Sequence, residues 1–423
     1  MKVFKFGGAS VKNAEAVKNV TKIVQSFENQ NLLIVISAMG KTTNALEIIV
    51  DALCKRDKPT FNEKLEEIKS YHYSIADQLF SSYEEPIYNK LNDVFSTLEK
   101  RYNEEIPDNY NYEYDQIVSL GEVISTLIVE EYLQFSGFKS KWLDARRLIR
   151  TNNTFRDAEI DWRRTEELIS QNVLPVFESN NIIITQGFIG HTPELLTTTL
   201  GREGSDFTAG IFAYCLNAEN VTIWKDVPGM LNADPKYFEN TIKLDKISFH
   251  EAIELAYYGA SVIHPKTLKP LQNKNISLFV KSFINPEADG TEIQSLTDFD
   301  HLIPSFIFKI NQTLISFRTR DFSFIVESHL SDIFSRFSKI GIKVNLMQNS
   351  ALSFSILVDT QKIDIQKVLE LFQADYEVRY NENLELVTIR HYDDDTIAKL
   401  TNNREILLEQ YTRQTARIVT KSN

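Results

Sequence analysis

"KVFKFGGASVKNAEAVKNVTKIV", residues 2–24, passes from strand to glycine loop to helix in one sweep. Residues 1–6 alternate apolar and polar side chains, the period of a strand. Ala14, Val17, Val20, Ile23, Val24 and Phe27 then recur at helical spacing. Gly7 and Gly8 sit between the two. Glycine lets backbone come close to an anion, and the helix start behind it offers unpaired N–H groups and positive potential. The order repeats at once. "NLLIVISAMG" (31–40) is a buried strand ending in glycine, and "TNALEIIVDAL" (43–53) restarts a helix. Such alternation predicts an α/β sandwich with a mainly parallel sheet.

A chain of 423 residues is long enough for two or three domains. Its net charge of −12 argues against a general nucleic-acid binder. A local cluster of cations and backbone N–H groups can still hold a small anion. No apolar run is long enough to span a bilayer, and the N-terminus has no signal-peptide core. Cys54 and Cys215 lie far apart and match no metal spacing. They point to a reducing, cytoplasmic setting, with both thiols expected in the core. His250 and His264 have no metal-like partner, so no protein metal site is predicted.

Residues 59–110, rich in Lys, Glu, Asn and Tyr, break the rhythm as a helical insertion. It reads equally as a flap over a site or as a solvated helical hairpin. Alternation returns with helix "YDQIVSLGEVISTLIVEEYL" (114–133), strand "NIIITQGFIG" (181–190), helix "FTAGIFAYCL" (207–216) and strand "VTIWKDV" (221–227). The first domain is expected to end near residue 300. From 301 to 423, short strands alternate with amphipathic helices in two β-α-β-β-α-β units, the second incomplete. "DDTIAKLTNNREILLEQYT" (394–412) is predicted as one helix.

Three loops follow strand ends: "GGAS" (7–10), "SAMGKTTN" (37–44) and "TTTLGREGSD" (197–206). Open α/β sheets bind ligands at the carboxyl ends of their strands. Three such loops, with Lys5 on the first strand, predict a nucleotide-phosphate site. There is no Walker A motif near them.

In order and spacing these segments resemble the aspartate kinases of the amino acid kinase superfamily. "KFGGAS", "SLGEVIS", "TQGFIG", "TTTLGREGSD", "IWKDVPGMLNADP" and "YGASVIHP" carry the likeness, which covers nearly the whole chain. The resemblance implies a three-layer α/β/α kinase domain followed by ferredoxin-like ACT modules that pair two chains into a homodimer. It implies transfer of the γ-phosphoryl of ATP to the side-chain carboxylate of L-aspartate, at the head of the route to lysine, threonine, methionine and diaminopimelate. By resemblance Lys5 contacts the transferring phosphoryl, and Gly7 and Gly8 admit it to the backbone. Ser37, Thr43, Gly204 and Ser205 line the acceptor pocket. Glu122 holds the α-ammonium, and Arg202 clamps the α-carboxylate. Asp206 orients the arginine or binds the ammonium, and Asp226 organises the lysine and the nucleotide end. Ser10, Lys225, Asp234, Lys236 and Ser261 fall on the nucleotide side, and Mg²⁺ rides mainly on the ATP phosphates.

The chain departs from the pattern in places. Ala9 and Lys225 replace threonines, Leu231 a tyrosine, Lys236 an arginine, and Ser261 a phosphate-facing lysine. Lys225 could supply the charge missing at Ser261. An amino-acid effector would meet Ser328, His329, Leu330, Asn345 and Asn349, but Ala351 falls where a glutamate can read lysine. The alternatives are a kinase with a glutamate-type acceptor and a non-catalytic amino-acid sensor.

Overall fold

The opening stretch folds as β1 (Lys2–Phe6) and α1 (Ala14–Gln25), with the Asn13 side chain capping the helix at the Ala16 N–H. This computed structural model describes residues 1–421 apart from 81–84, 105–108, 239, 261, 262, 322 and 403 and the side chain of Lys399. The chain forms two compact units. One comprises Met1–Met230, Lys243–Ile253 and Ser261–Phe299; the other comprises Leu231–Ile242, Glu254–Ala260 and Asp300–Asn423.

In the first unit β2 (Leu32–Ile36) and α2 (Thr42–Cys54) continue the pattern. α3 (Lys58–Leu79) and α4 (Pro86–Arg101) come next, then the long α5 (Tyr110–Phe135), β3 (Ser140–Leu143), α6 (Trp162–Val173) and β4 (Ile182–Gln186). A small hairpin, β5 (Ile189–His191) and β6 (Thr197–Thr199), leads to α7 (Gly204–Leu216) and β7 (Asn220–Lys225). The unit closes with β8 (Lys246–Ser248), α8 (Phe249–Tyr258), whose last turns belong to the other unit, α9 (Pro265–Lys274), β9 (Ser277–Ser282) and β10 (Thr291–Gln294). The sheet order is β3-β4-β2-β1-β7-β9-β10-β8, parallel except between β9 and β10. All five residues of β2 and four of the five in β1 are buried, as expected of parallel strands covered on both faces. Because β4, β2, β1 and β7 are adjacent and parallel, the loops after them meet at one edge.

The insertion is a packed layer. α3 buries Phe61, Leu65, Ile68, His72 and Ile75. The His72 ring joins the Ile68 carbonyl (2.7 Å) and the Thr42 hydroxyl (3.4 Å), and burial pushes its pKa down to about 4. Cys215 is buried, but Cys54, expected in the core, is exposed at the end of α2.

The second unit holds β11 (Ser305–Thr319), α10 (Glu327–Lys339), β12 (Val344–Asn349), β13 (Phe354–Asp359), α11 (Ile365–Phe372), β14 (Tyr376–Arg390), α12 (Asp394–Thr401), β15 (Ile406–Tyr411) and β16 (Thr415–Lys421). The sheet, β12-β13-β11-β14-β16-β15, is antiparallel throughout. β11 through β14 make one complete β-α-β-β-α-β module. β11 and β14 are long, and their register slips near Asn311. Beyond the slip, Ser305–Lys309 stands beside the end of β14 as the fourth strand of a second module, whose other members are β15, β16 and α12. Its core, with Phe306, Val387, Ile389 and Ile418, is completed by Ala233 and Phe238. The helix expected over 394–412 therefore stops at Thr401, and Ile406–Tyr411 pairs with β16 instead. Sheet pairing outweighs helix propensity there.

Candidate active site

The loops after β1 and β2 touch. The Gly40 N–H donates to the Gly8 carbonyl at 3.1 Å, and a Cβ on Gly8 would lie 2.6 Å from the Ala38 carbonyl oxygen. Only glycine allows this approach. Gly8→Ala must move one loop, at a cost of about 1–3 kcal/mol. It is expected to lower both the melting temperature and kcat; a variant with wild-type values would show that the approach is not needed.

At the end of β1, Lys5 Nζ pairs with Asp206 Oδ1 at 2.6 Å. Lys225 Nζ, at the end of β7, lies 3.5 Å from Asp206 Oδ2. Lys5 is 8% and Asp206 2% exposed. Burial alone would raise the Asp206 carboxyl, but the Lys5 and then the Lys225 ammonium groups outweigh it and hold it below the usual carboxylate range. The first turn of α7 thus carries the anion that fixes two cations at the strand ends.

Beside them lies a cavity of about 480 Å³. Lys5, Ser37, Thr43, Glu122, Arg202, Gly204, Ser205, Asp206 and Lys225 all line it. Glu122, on α5, is 4% exposed, and burial pushes its carboxyl up to about 8. The Ala38 backbone, Lys5 and the Ser205 hydroxyl, which donates to Glu122 Oε2 at 3.5 Å, offset only part of this. A buried carboxyl of that kind gains most from an incoming ammonium. Arg202 is exposed, and among the described residues no carboxylate pairs with its guanidinium. The cavity therefore brings the buried Glu122 carboxyl and the open Arg202 guanidinium, the complement of an α-amino acid, beside two fixed lysines.

A sequence model of the amino acid kinase family matches residues 1–282. Lysine-sensitive aspartokinase 3 of Escherichia coli (strain K12) is 34% identical over 358 residues, 85% of this chain and 78% of that protein. The chain belongs to the aspartokinases of the amino acid kinase family. Aspartokinase 3, chloroplastic, of Arabidopsis thaliana is 31% identical over 402 residues, 92% of this chain and 70% of that protein. The structure of E. coli aspartokinase III in complex with aspartate and ADP (R-state) superposes with a TM-score of 0.79 at 30% identity, covering 100% of this chain and 96% of that one.

Within this aspartokinase framework some residues stand elsewhere than expected. Asp206, not Asp226, holds the Lys5 ammonium; Asp226 is exposed just past β7. Asp206 faces the two lysines and makes no ion pair with Arg202. Gly7 lies against Lys5: a Cβ there would be 3.5 Å from Nζ. The Ser10 hydroxyl donates to the Trp224 carbonyl at 3.4 Å and ties the glycine loop after β1 to β7. Asp234 and Lys236 belong to the second unit, where Asp234 Oδ1 accepts the Lys236 N–H at 2.9 Å in a local turn. Ser261 lies outside the described residues. Of the effector candidates, Ser328 and Asn349 are exposed, and His329 Nδ1 accepts the Val326 N–H at 3.2 Å. Leu330 packs on the core of the second unit. Asn345 was expected to face an effector. It is engaged instead in an internal network, accepting from Lys309 and donating to Gln312 and Asp359.

Sequence reasoning missed Tyr114, Arg156, Phe188, Gly201 and Glu203, which also line the cavity. Three of them hold left-handed backbone without being glycine: Arg156 (φ 71°), Phe188 (φ 70°) and Glu203 (φ 53°). Strained residues gather at functional sites, but residue type does not disclose them.

Lys225 is the departure with a visible role. Lys225→Ala would leave Asp206 to Lys5 alone and thin the positive charge at the strand ends. A fall in kcat of about 10–100-fold is expected; unchanged kcat and ATP KM would contradict that role.

Proposed function

We propose that this chain transfers the γ-phosphoryl group of ATP to the side-chain carboxylate of L-aspartate, giving 4-phospho-L-aspartate and ADP. The observation that carries the reading is the buried Glu122 and the open Arg202 guanidinium in one cavity with the Asp206-held lysines. Glu122 receives the α-ammonium and Arg202 the α-carboxylate, for which a planar two-pronged donor suits. That orientation turns the side-chain carboxylate toward Lys5. The acceptor is ionised at neutral pH, so no general base is required. One carboxylate oxygen forms the new bond to phosphorus as the bond to the leaving ADP oxygen breaks. Lys5 and Lys225 neutralise charge on the group in flight, and Asp206 keeps both in place beforehand.

Asp206 already faces two lysines and Glu122 favours its neutral form, so the donors present suit an Mg²⁺ ion held through ATP phosphates rather than by a protein cage. The ion would add Lewis-acid charge to those phosphates. Homodimer formation through the ACT-type unit is supported by its exposed Phe324, Met347 and Leu352. An amino-acid effector there remains part of the reading, with Ser328, His329 and Asn349 at hand. A cytoplasmic setting is supported by two cysteines, Cys54 and Cys215, that form no disulfide; no helix among the described residues is long and apolar enough to cross a membrane.

ADP release with saturating Mg-ATP tests the acceptor. Turnover should depend on L-aspartate and be at least about tenfold weaker with L-glutamate, whose extra methylene must fit the same cavity. Equal or stronger turnover with glutamate would favour the other acceptor class, and none with either would favour a sensor.

A further inference from the structure

We infer that Arg156 supplies a second guanidinium to the anionic acceptor and is a substrate-binding residue beside Arg202. The inference rests on the aspartate-kinase reading above. Arg156 lies between β3 and α6 and lines the acceptor cavity. Its φ of 71° is one that glycine adopts freely and that costs another residue about 1 kcal/mol or more. The surroundings enforce it. Its N–H points at both Asp115 oxygens, at 3.2 and 3.0 Å. Asp115 in turn accepts the Thr199 N–H at 2.9 Å and its hydroxyl at 2.6 Å, on the strand that leads into the Arg202 loop. A glycine would hold this turn with less strain, so the side chain needs a separate explanation.

That side chain is laid down for use. The guanidinium carbon sits 4.3 Å from the Tyr114 ring centroid and 5.7 Å from that of Tyr110. The Tyr114 hydroxyl donates to Glu47 Oε1 at 2.8 Å, which fixes the platform. Stacking occupies the face of a guanidinium and leaves its N–H edge for an acceptor in the plane. Among the described residues no carboxylate pairs with that edge. Lys5 and Lys225 are held by Asp206, so Arg156 and Arg202 are the cavity cations open to a ligand. A dicarboxylic amino acid carries two anionic groups and one ammonium, which two guanidiniums and Glu122 match.

Steady-state kinetics and thermal unfolding of the full chain, Arg156→Gly and Arg156→Lys, test this. Arg156→Gly should raise the aspartate KM about tenfold or more, the loss of one charged hydrogen-bond donor. It should keep the ATP KM within about twofold and the wild-type melting temperature, because glycine suits the turn. Arg156→Lys, which keeps charge without the planar fork, should fall between. An unchanged aspartate KM in Arg156→Gly would overturn the inference. So would a rise in both KM values with a lowered melting temperature, which marks a scaffold role. A wild-type chain without aspartate-dependent turnover would instead overturn the reading of function, and this inference with it.

Discussion

Lys5→Ala is expected to lower kcat by about 10³-fold, because it removes the cation nearest the reacting group from a site where electrostatic stabilisation does most of the catalysis. Stability should fall too. Removing one member of a buried ion pair commonly costs about 3–5 kcal/mol, since the partner is left charged and dry. Here Lys225 still stands 3.5 Å from Asp206, so the loss should lie toward or below the lower end of that range. The two effects separate in a double variant. Lys5→Met with Asp206→Asn removes both charges and should recover much of the stability while staying inactive. A double variant as unstable as Lys5→Ala would mean that the buried charge of Asp206 is not the cause. An active Lys5→Ala would remove Lys5 from the chemistry.

Glu122→Gln should raise the aspartate KM by about 10²–10³-fold, the range expected when one member of a buried charge pair is lost. The same residue predicts a pH dependence. In the unliganded fold the Glu122 carboxyl titrates near 8, against 4.5 for an ordinary glutamate. Between those values the folded chain holds a proton that the unfolded chain has released. The resulting stability is fully present below about pH 4.5 and is lost as pH rises through 8, a change on the order of a few kcal/mol. Glu122→Gln should flatten that decline in thermal unfolding between pH 5 and 9. Aspartate binding should work the other way. Its ammonium favours the ionised carboxylate, so binding at pH 7 expels the proton and the aspartate KM should fall as pH rises toward 8. A KM independent of pH across that interval, or a Gln variant with normal KM, would contradict the assignment.

Much of this site is legible in the sequence because it depends on local order. Lys5 ends an alternating strand, Glu122 sits in a helix with an apolar face, and Arg202 and Asp206 flank the start of another helix. Strand, loop and helix repeat, so parallel pairing brings their ends together. What stays hidden depends on partners far along the chain. Nothing near Lys5 says that its anion is Asp206, 201 positions on, rather than Asp226. Arg156 is an unremarkable loop arginine until its backbone dihedral and the Tyr114 ring are seen. The second unit shows the same limit: "ILLEQY" suits a helix alone, and becomes β15 because β16 lies beside it.

The proposed transfer leaves an acyl phosphate on the side-chain carboxylate of aspartate. Incubation of the chain with Mg-ATP, L-aspartate and hydroxylamine tests it most directly, because hydroxylamine captures an acyl phosphate as a hydroxamate. The 4-hydroxamate of aspartate is expected in proportion to the ADP released, and none from the Lys5→Ala chain. ADP release without hydroxamate, or hydroxamate formed equally well from glutamate, would contradict it.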